Sequence, residues 1–141
     1  MKHIFVFFQF LCIAILAFVG NVVVFDLGLI LQMAAIAFGI WAVQSVGQNN
    51  WSVYPIPNEE SSISAKGAYK YVRHPMYTSI IFFFLPMQLR VNDWFNWVVY
   101  GILVVTLIFK IRFEEQQILE KHLEYEEFIK VTKQRLVPFV W

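Results

Sequence analysis

Trp94-Phe95-Asn96-Trp97-Val98-Val99-Tyr100-Gly101-Ile102-Leu103-Val104-Val105-Thr106-Leu107-Ile108-Phe109 contains no charged residue, and it runs directly into Lys110-Ile111-Arg112-Phe113-Glu114-Glu115. A helix rises about 1.5 Å per residue, so roughly 20 residues cross a hydrocarbon core of about 30 Å. The stretch therefore predicts a membrane span over 94–112. Trp94 and Trp97 sit at one interface, and Lys110 and Arg112 close the other end as snorkelling cations.

Working outward, three more apolar runs predict spans at about 4–20, 27–46 and 76–90. The first run has the short positive start of a signal peptide. No small-x-small cleavage site precedes the next apolar run, so it is read as a span. Turn-type residues Gly20-Asn21 and Asp26-Leu27-Gly28 place the first turn between about 20 and 28. The run over 76–90 is short and contains Pro86, which predicts a tilt or kink. Composition agrees. Of 141 residues 59% are hydrophobic and 15% charged, against roughly 45–50% and about 25% in soluble domains. A chain this small has too little interior to hide so much apolar surface from water. Net charge is +1, so no strong field argues for nucleic acid and none is expected as a partner. The lone Cys12, in an apolar run, is read as a small buried hydrophobe.

The expected architecture is a single all-α domain over 1–141, integral to the membrane, with four transmembrane helices. The polar stretch 47–75 contains Pro55 and Pro57, which forbid a regular helix there. It is long enough to be functional, and Trp51 and Tyr54 are placed at headgroup level. In the tail 113–141, Ile118, His122, Tyr125, Ile129 and Thr132 recur at helical spacing and predict an amphipathic helix outside the bilayer. Of the 11 basic residues all but Arg90 fall on the side of the termini and the 47–75 loop. The charge rule then makes that side cytoplasmic, in the inner membrane if the cell is a bacterium.

Two polar constellations lie at that face. One is Gly67-Ala68-Tyr69-Lys70-Tyr71-Val72-Arg73-His74-Pro75-Met76-Tyr77; the other is Arg112-Phe113-Glu114-Glu115. A helical hairpin separates them, so they are expected to be neighbours in space. Taken singly, each has an ordinary reading. The cations are topology signals, the tyrosines an aromatic belt, and the glutamates the solvated start of a charged helix. His74, His3 and His122 have no partner at ligand spacing, so no metal site is expected.

Together, Gly-x-Tyr-x-Tyr-x-Arg-His-Pro-x-Tyr followed by Arg-x-Glu-Glu resembles the isoprenylcysteine carboxyl methyltransferase family, part of a group that includes membrane phospholipid and thiol methyltransferases. Tyr54-Pro55-Ile56-Pro57, Leu119, Tyr125 and the terminal Arg135-Leu136-Val137-Pro138 extend the resemblance to about 34–141. Phe128 replaces a usual Tyr, and Ser79 a usual Gly. The resemblance implies S-adenosylmethionine as methyl donor, without the Gly-x-Gly-x-x-Gly loop of a dinucleotide fold.

The residue types suit such a task. His74 and nearby backbone N–H groups can meet the cofactor's carboxylate, and Glu115 its ammonium. Tyr69 and Tyr77 can pack on the adenosine or the sulfonium, and Pro75 fixes the backbone between loop and helix. The tail at Leu136-Val137-Pro138 can close over the cofactor. Arg73 can orient an acceptor carboxylate, as in an isoprenylcysteine, with Glu114 or Glu115 orienting Arg73. If the acceptor is instead a phospholipid amine or a thiol, a proton must leave, and Glu114 or His74 is the base. The acceptor is expected to be lipophilic or lipidated and to enter from the membrane. The competing readings are a non-catalytic membrane protein that keeps the fold and a sterol-type reductase, for which four spans are too few.

Overall fold

The apolar runs become helices, and the helix ends fall where the capping residues are. The computed structural model describes residues 2–20, 22–46, 67–121 and 124–137. Over these the chain forms α1 (Lys2–Val19), α2 (Leu27–Val46), a one-turn 3-10 helix (Gly67–Lys70), α3 (Pro75–Val91), α4 (Trp94–Lys121) and α5 (Glu124–Val131), with no strand among the described residues. The expectations placed on 47–66, on His122 and on Pro138 lie outside the described residues.

Each boundary has a local cause. Pro75 occupies the first turn of α3, where its missing N–H costs nothing. Asn92 closes α3 in the left-handed conformation, with its N–H on Gln88 O at 3.0 Å. Asp93 then opens α4, accepting from the N–H groups of Phe95 at 3.1 Å and Asn96 at 3.3 Å. Pro86 sits inside α3 without ending it. α4 also runs past the expected end of its span at 112, since no Gly, Pro or cap residue interrupts Arg112 to Lys121.

Chain order is not spatial order. α1 packs on α4, α4 on α3, and α3 on α2. Neighbouring helices are antiparallel. Gln9 of α1 meets Lys110 of α4, Tyr100 of α4 reaches Ile81 O of α3, and Ser79 of α3 reaches Ala35 O of α2. The apolar core belongs to three of these helices and the turn after the first: Cys12, Leu16, Val24, Phe84, Met87, Val99, Leu103 and Leu107. Two glycines permit the close α2/α3 approach. A side chain at Gly28 would meet Pro86, and one at Gly39 would meet Ser79. Gln32, buried in α2, bonds Val22 O at 2.6 Å, Val24 N at 3.0 Å and Phe83 O at 3.3 Å, and so satisfies turn backbone that apolar surroundings would leave unpaired.

The outer surface is apolar. Phe18 is 91% exposed and Leu27 84%, and Phe7, Ile30, Met33 and Ile102 also face outward. Such a surface associates in water and is ordinary in lipid. Two helices are long and apolar enough to cross a membrane, over Leu27–Ser45 and Trp94–Glu120. α1 with 18 residues and α3 with 17 are shorter. At about 1.5 Å per residue α4 is roughly 40 Å long, about 10 Å more than a hydrocarbon core needs. Its charged last turns, from Arg112 onward, are the excess and lie beyond the membrane segment.

Candidate active site

The two polar constellations converge where α3 begins and α4 leaves the apolar zone. Arg73 precedes α3 and is 6% exposed. Its Nε donates to Glu115 Oε1 at 2.8 Å, and its Nη1 donates to Thr132 O at 3.0 Å and Lys133 O at 2.9 Å. Arg135 donates from Nε to Glu115 Oε2 at 2.9 Å. Glu115 thus has both oxygens bound by arginines. His74 lies between the two carboxylates, with Nε2 3.3 Å from Glu115 Oε1 and Nδ1 3.6 Å from Glu114 Oε2. Its ring stacks on Tyr77, with centroids 5.6 Å apart. The Tyr77 hydroxyl donates to Glu114 Oε1 at 2.6 Å.

The two glutamates differ electrostatically. Burial pushes the Glu115 carboxyl up, but hydrogen bonds from His74 and Arg73 and their charges outweigh it and bring it down to about 2. Burial also pushes Glu114 up. His74, the Tyr77 hydroxyl and Lys110 oppose the rise, Glu115 adds to it, and the net result is upward. Burial, then the charge of Glu114, pushes the Tyr69 phenol up to about 12. Two adjacent carboxyls with opposite shifts have different tasks available. Glu115 is held in its ionised form, and the Glu114 carboxyl is shifted toward its neutral form.

The tail segment 132–137, a strap after α5, is sewn onto the motif. Arg73 N donates to Gln134 O and His74 N to Arg135 O, both at 2.9 Å. Thr78 Oγ1 donates to Leu136 O at 2.6 Å, and Thr132 Oγ1 to Tyr69 O at 3.0 Å. Of the backbone N–H groups near His74 that were expected to meet the cofactor, those of residues 73 and 74 are occupied by the chain itself.

All the expected site residues, Tyr69, Arg73, His74, Pro75, Tyr77, Glu114 and Glu115, belong to this one neighbourhood. Glu114 Oε2 lies beyond hydrogen-bond range of His74 and keeps lone pairs for a cationic group. Glu115 has an arginine on each oxygen, and Arg73 commits Nε and Nη1 to bonds within the chain. Four further residues are part of the cluster but were not read as site residues in the sequence: Gln9, Thr78, Lys110 and the strap residue Thr132. Their signal is polarity at apolar-run or helix-end positions, where a polar atom needs a partner. Lys110 is not a snorkelling cation; it is 1% exposed and points inward, whereas Arg112 is exposed. Among the described residues no group of three or more His, Cys, Asp or Glu is placed to hold a metal ion.

A model of the phospholipid methyltransferase family matches residues 23–126, about three quarters of the chain. That family belongs to the group of membrane methyltransferases that also holds the isoprenylcysteine carboxyl methyltransferases, in agreement with the motif resemblance. No curated protein matches the chain. The match covers α2, α3, α4 and the whole of both motifs, and leaves out α1 and the strap.

Proposed function

The chain belongs to the phospholipid methyltransferase family, and from that premise we propose that it transfers a methyl group from S-adenosylmethionine to a lipophilic acceptor at the membrane face where α4 emerges. The observation that carries the proposal is the Glu114 carboxylate. It is buried, fixed by Tyr77 through Oε1, and at Oε2 it meets His74 Nδ1 only at 3.6 Å, beyond a hydrogen bond. The residues fit the donor molecule. Glu114 offers an acceptor to a cationic group, and the stacked rings of His74 and Tyr77 offer it an aromatic wall. S-adenosylmethionine, when bound, supplies an electrophilic methyl group. The chain's own contribution is alignment and exclusion of water, since the strap over the motif closes one side.

The geometry favours an acceptor that must lose a proton. A carboxylate of isoprenylcysteine type needs Arg73 to orient it, and Arg73 already bonds Glu115 and two strap carbonyls. A phospholipid amine needs a base, and Glu114, with its raised pKa, suits that role. Glu115, with Arg73 and Arg135, then acts as the rigid anchor of the site and leaves the cation to Glu114. The carboxylate acceptor is the second reading, carried by the resemblance of the Arg-His-Pro-x-Tyr and Glu-Glu motifs.

The same proposal places four spans in the membrane, with α1 and α3 crossing beside α2 and α4. It puts both termini and the site on the cytoplasmic face of a bacterial inner membrane. The test is methyl incorporation from labelled donor in nanodiscs. The purified protein is offered phosphatidylethanolamine in one arm and a prenylcysteine in the other. Incorporation into the lipid amine supports the first reading. Incorporation into the prenylcysteine alone replaces it with the second, and none into either by folded protein overturns both.

A further inference from the structure

Lys110 is a buried cation with an unusual tether. Its Nζ donates to Gln9 Oε1 at 2.8 Å, sits 5.0 Å over the Tyr77 ring, and lies 3.9 Å from Glu114 Oε1. Gln9, itself buried, comes from α1, outside the matched residues 23–126. An ammonium that only marked topology would reach for the headgroups. This one is held inside the bundle, where a charge is costly unless paired and hydrogen-bonded. It is also held short of a hydrogen bond to the Glu114 carboxylate, since 3.9 Å is ion-pair distance only.

We propose that Lys110, restrained by Gln9, is a positioning residue for Glu114: it favours the ionised carboxylate from one turn away, and the Gln9 tether stops it from closing onto that carboxylate. The groups facing Glu114 are His74 and Tyr77 from α3 and its approach, Tyr69 from the one-turn helix, Tyr125 from α5, and Lys110 and Glu115 from α4 itself. Arg73 and Arg135 spend their hydrogen bonds on Glu115. Among the described residues Lys110 is therefore the cationic side chain, other than His74, that pairs with Glu114. The role rests on the reading of Glu114 as proton acceptor; the geometry does not.

The experiment is an infrared pH titration of the full chain in nanodiscs, following the protonated-carboxyl band that Glu114→Gln removes. It needs neither methyl donor nor acceptor. Lys110→Met is expected to raise the Glu114 midpoint by one pH unit or more, and Lys110→Arg to restore it. Gln9→Leu is expected to lower the midpoint, because the released ammonium closes onto the carboxylate. Loss of packing alone would not move the two variants in opposite directions. An unchanged midpoint in Lys110→Met, or an unchanged or raised one in Gln9→Leu, overturns the proposal. If Lys110→Met does not fold, Gln9→Leu decides by itself. Failure of the methyltransferase reading would appear elsewhere, as absence of S-adenosylmethionine binding by the wild type.

Discussion

At the residue scale the site is a set of charges that stand or fall together. Arg73 and Glu115 are 6% and 5% exposed. Removing one partner leaves the other buried and unpaired, which costs about 3–5 kcal/mol in such pairs. Glu115→Gln is therefore expected to lower thermal stability as well as ligand affinity, and unfolding measured in detergent checks it. The pH dependence has a definite sign. Glu115 is depressed to about 2, so its contribution is complete above the unfolded carboxyl value near 4.3 and is lost as pH falls from there through about 2. Wild-type stability is expected to drop across that window, with a shallower drop in Glu115→Gln; parallel curves would contradict the assignment. Glu114 has the opposite sign, since its raised pKa makes ionisation oppose folding. Tyr77→Phe removes a 2.6 Å bond to a charged acceptor. Bonds of that kind are worth about 1.5–3 kcal/mol, so methyl transfer is expected to fall by about 10- to 100-fold with normal membrane insertion.

At the scale of elements, the strap 132–137 and the α2/α3 contact are the features that hold the site in shape. Thr78 fastens the strap at Leu136 O. Thr78→Val deletes that bond, worth about 1 kcal/mol, so local opening is expected to increase about fivefold. Trypsin cleavage after Lys133 or Arg135 reports it, and an unchanged rate would mean that the backbone bonds to residues 73 and 74 suffice. Gly39 and Ser79 form a matched pair, because Ser79 Oγ needs the room that Gly39 leaves to reach Ala35 O at 2.7 Å. Gly39→Leu is expected to separate α2 from α3 and lower stability. The sequence showed Ser79 only as a departure from its family's pattern; the opposing glycine that accommodates it stands 40 residues earlier. The helices themselves were legible from apolar runs and turn residues, and the cluster from the two motifs. The division of labour between Glu114 and Glu115 was not, because it depends on which oxygen each arginine takes. Nor was the inward turn of Lys110, since the same residue at the same helix end reads equally well as a topology signal.

At the scale of the whole molecule, an apolar exterior surrounds one polar end. Asp26 and Arg90 pair at the opposite end at 2.5 Å, half-exposed on both sides, and contribute about 1 kcal/mol at most. Among the described residues the other basic positions lie toward the site end. A reporter fused to the C-terminus is therefore expected to read cytoplasmic, and an external signal would invert the topology. The central claim is that this end binds a methyl donor through Glu114. The direct measurement is calorimetric titration of S-adenosylmethionine into the wild type and Glu114→Gln in nanodiscs. Saturable binding that weakens at least tenfold in the variant is the predicted result. No binding by folded wild type, or equal binding by both, would contradict the account.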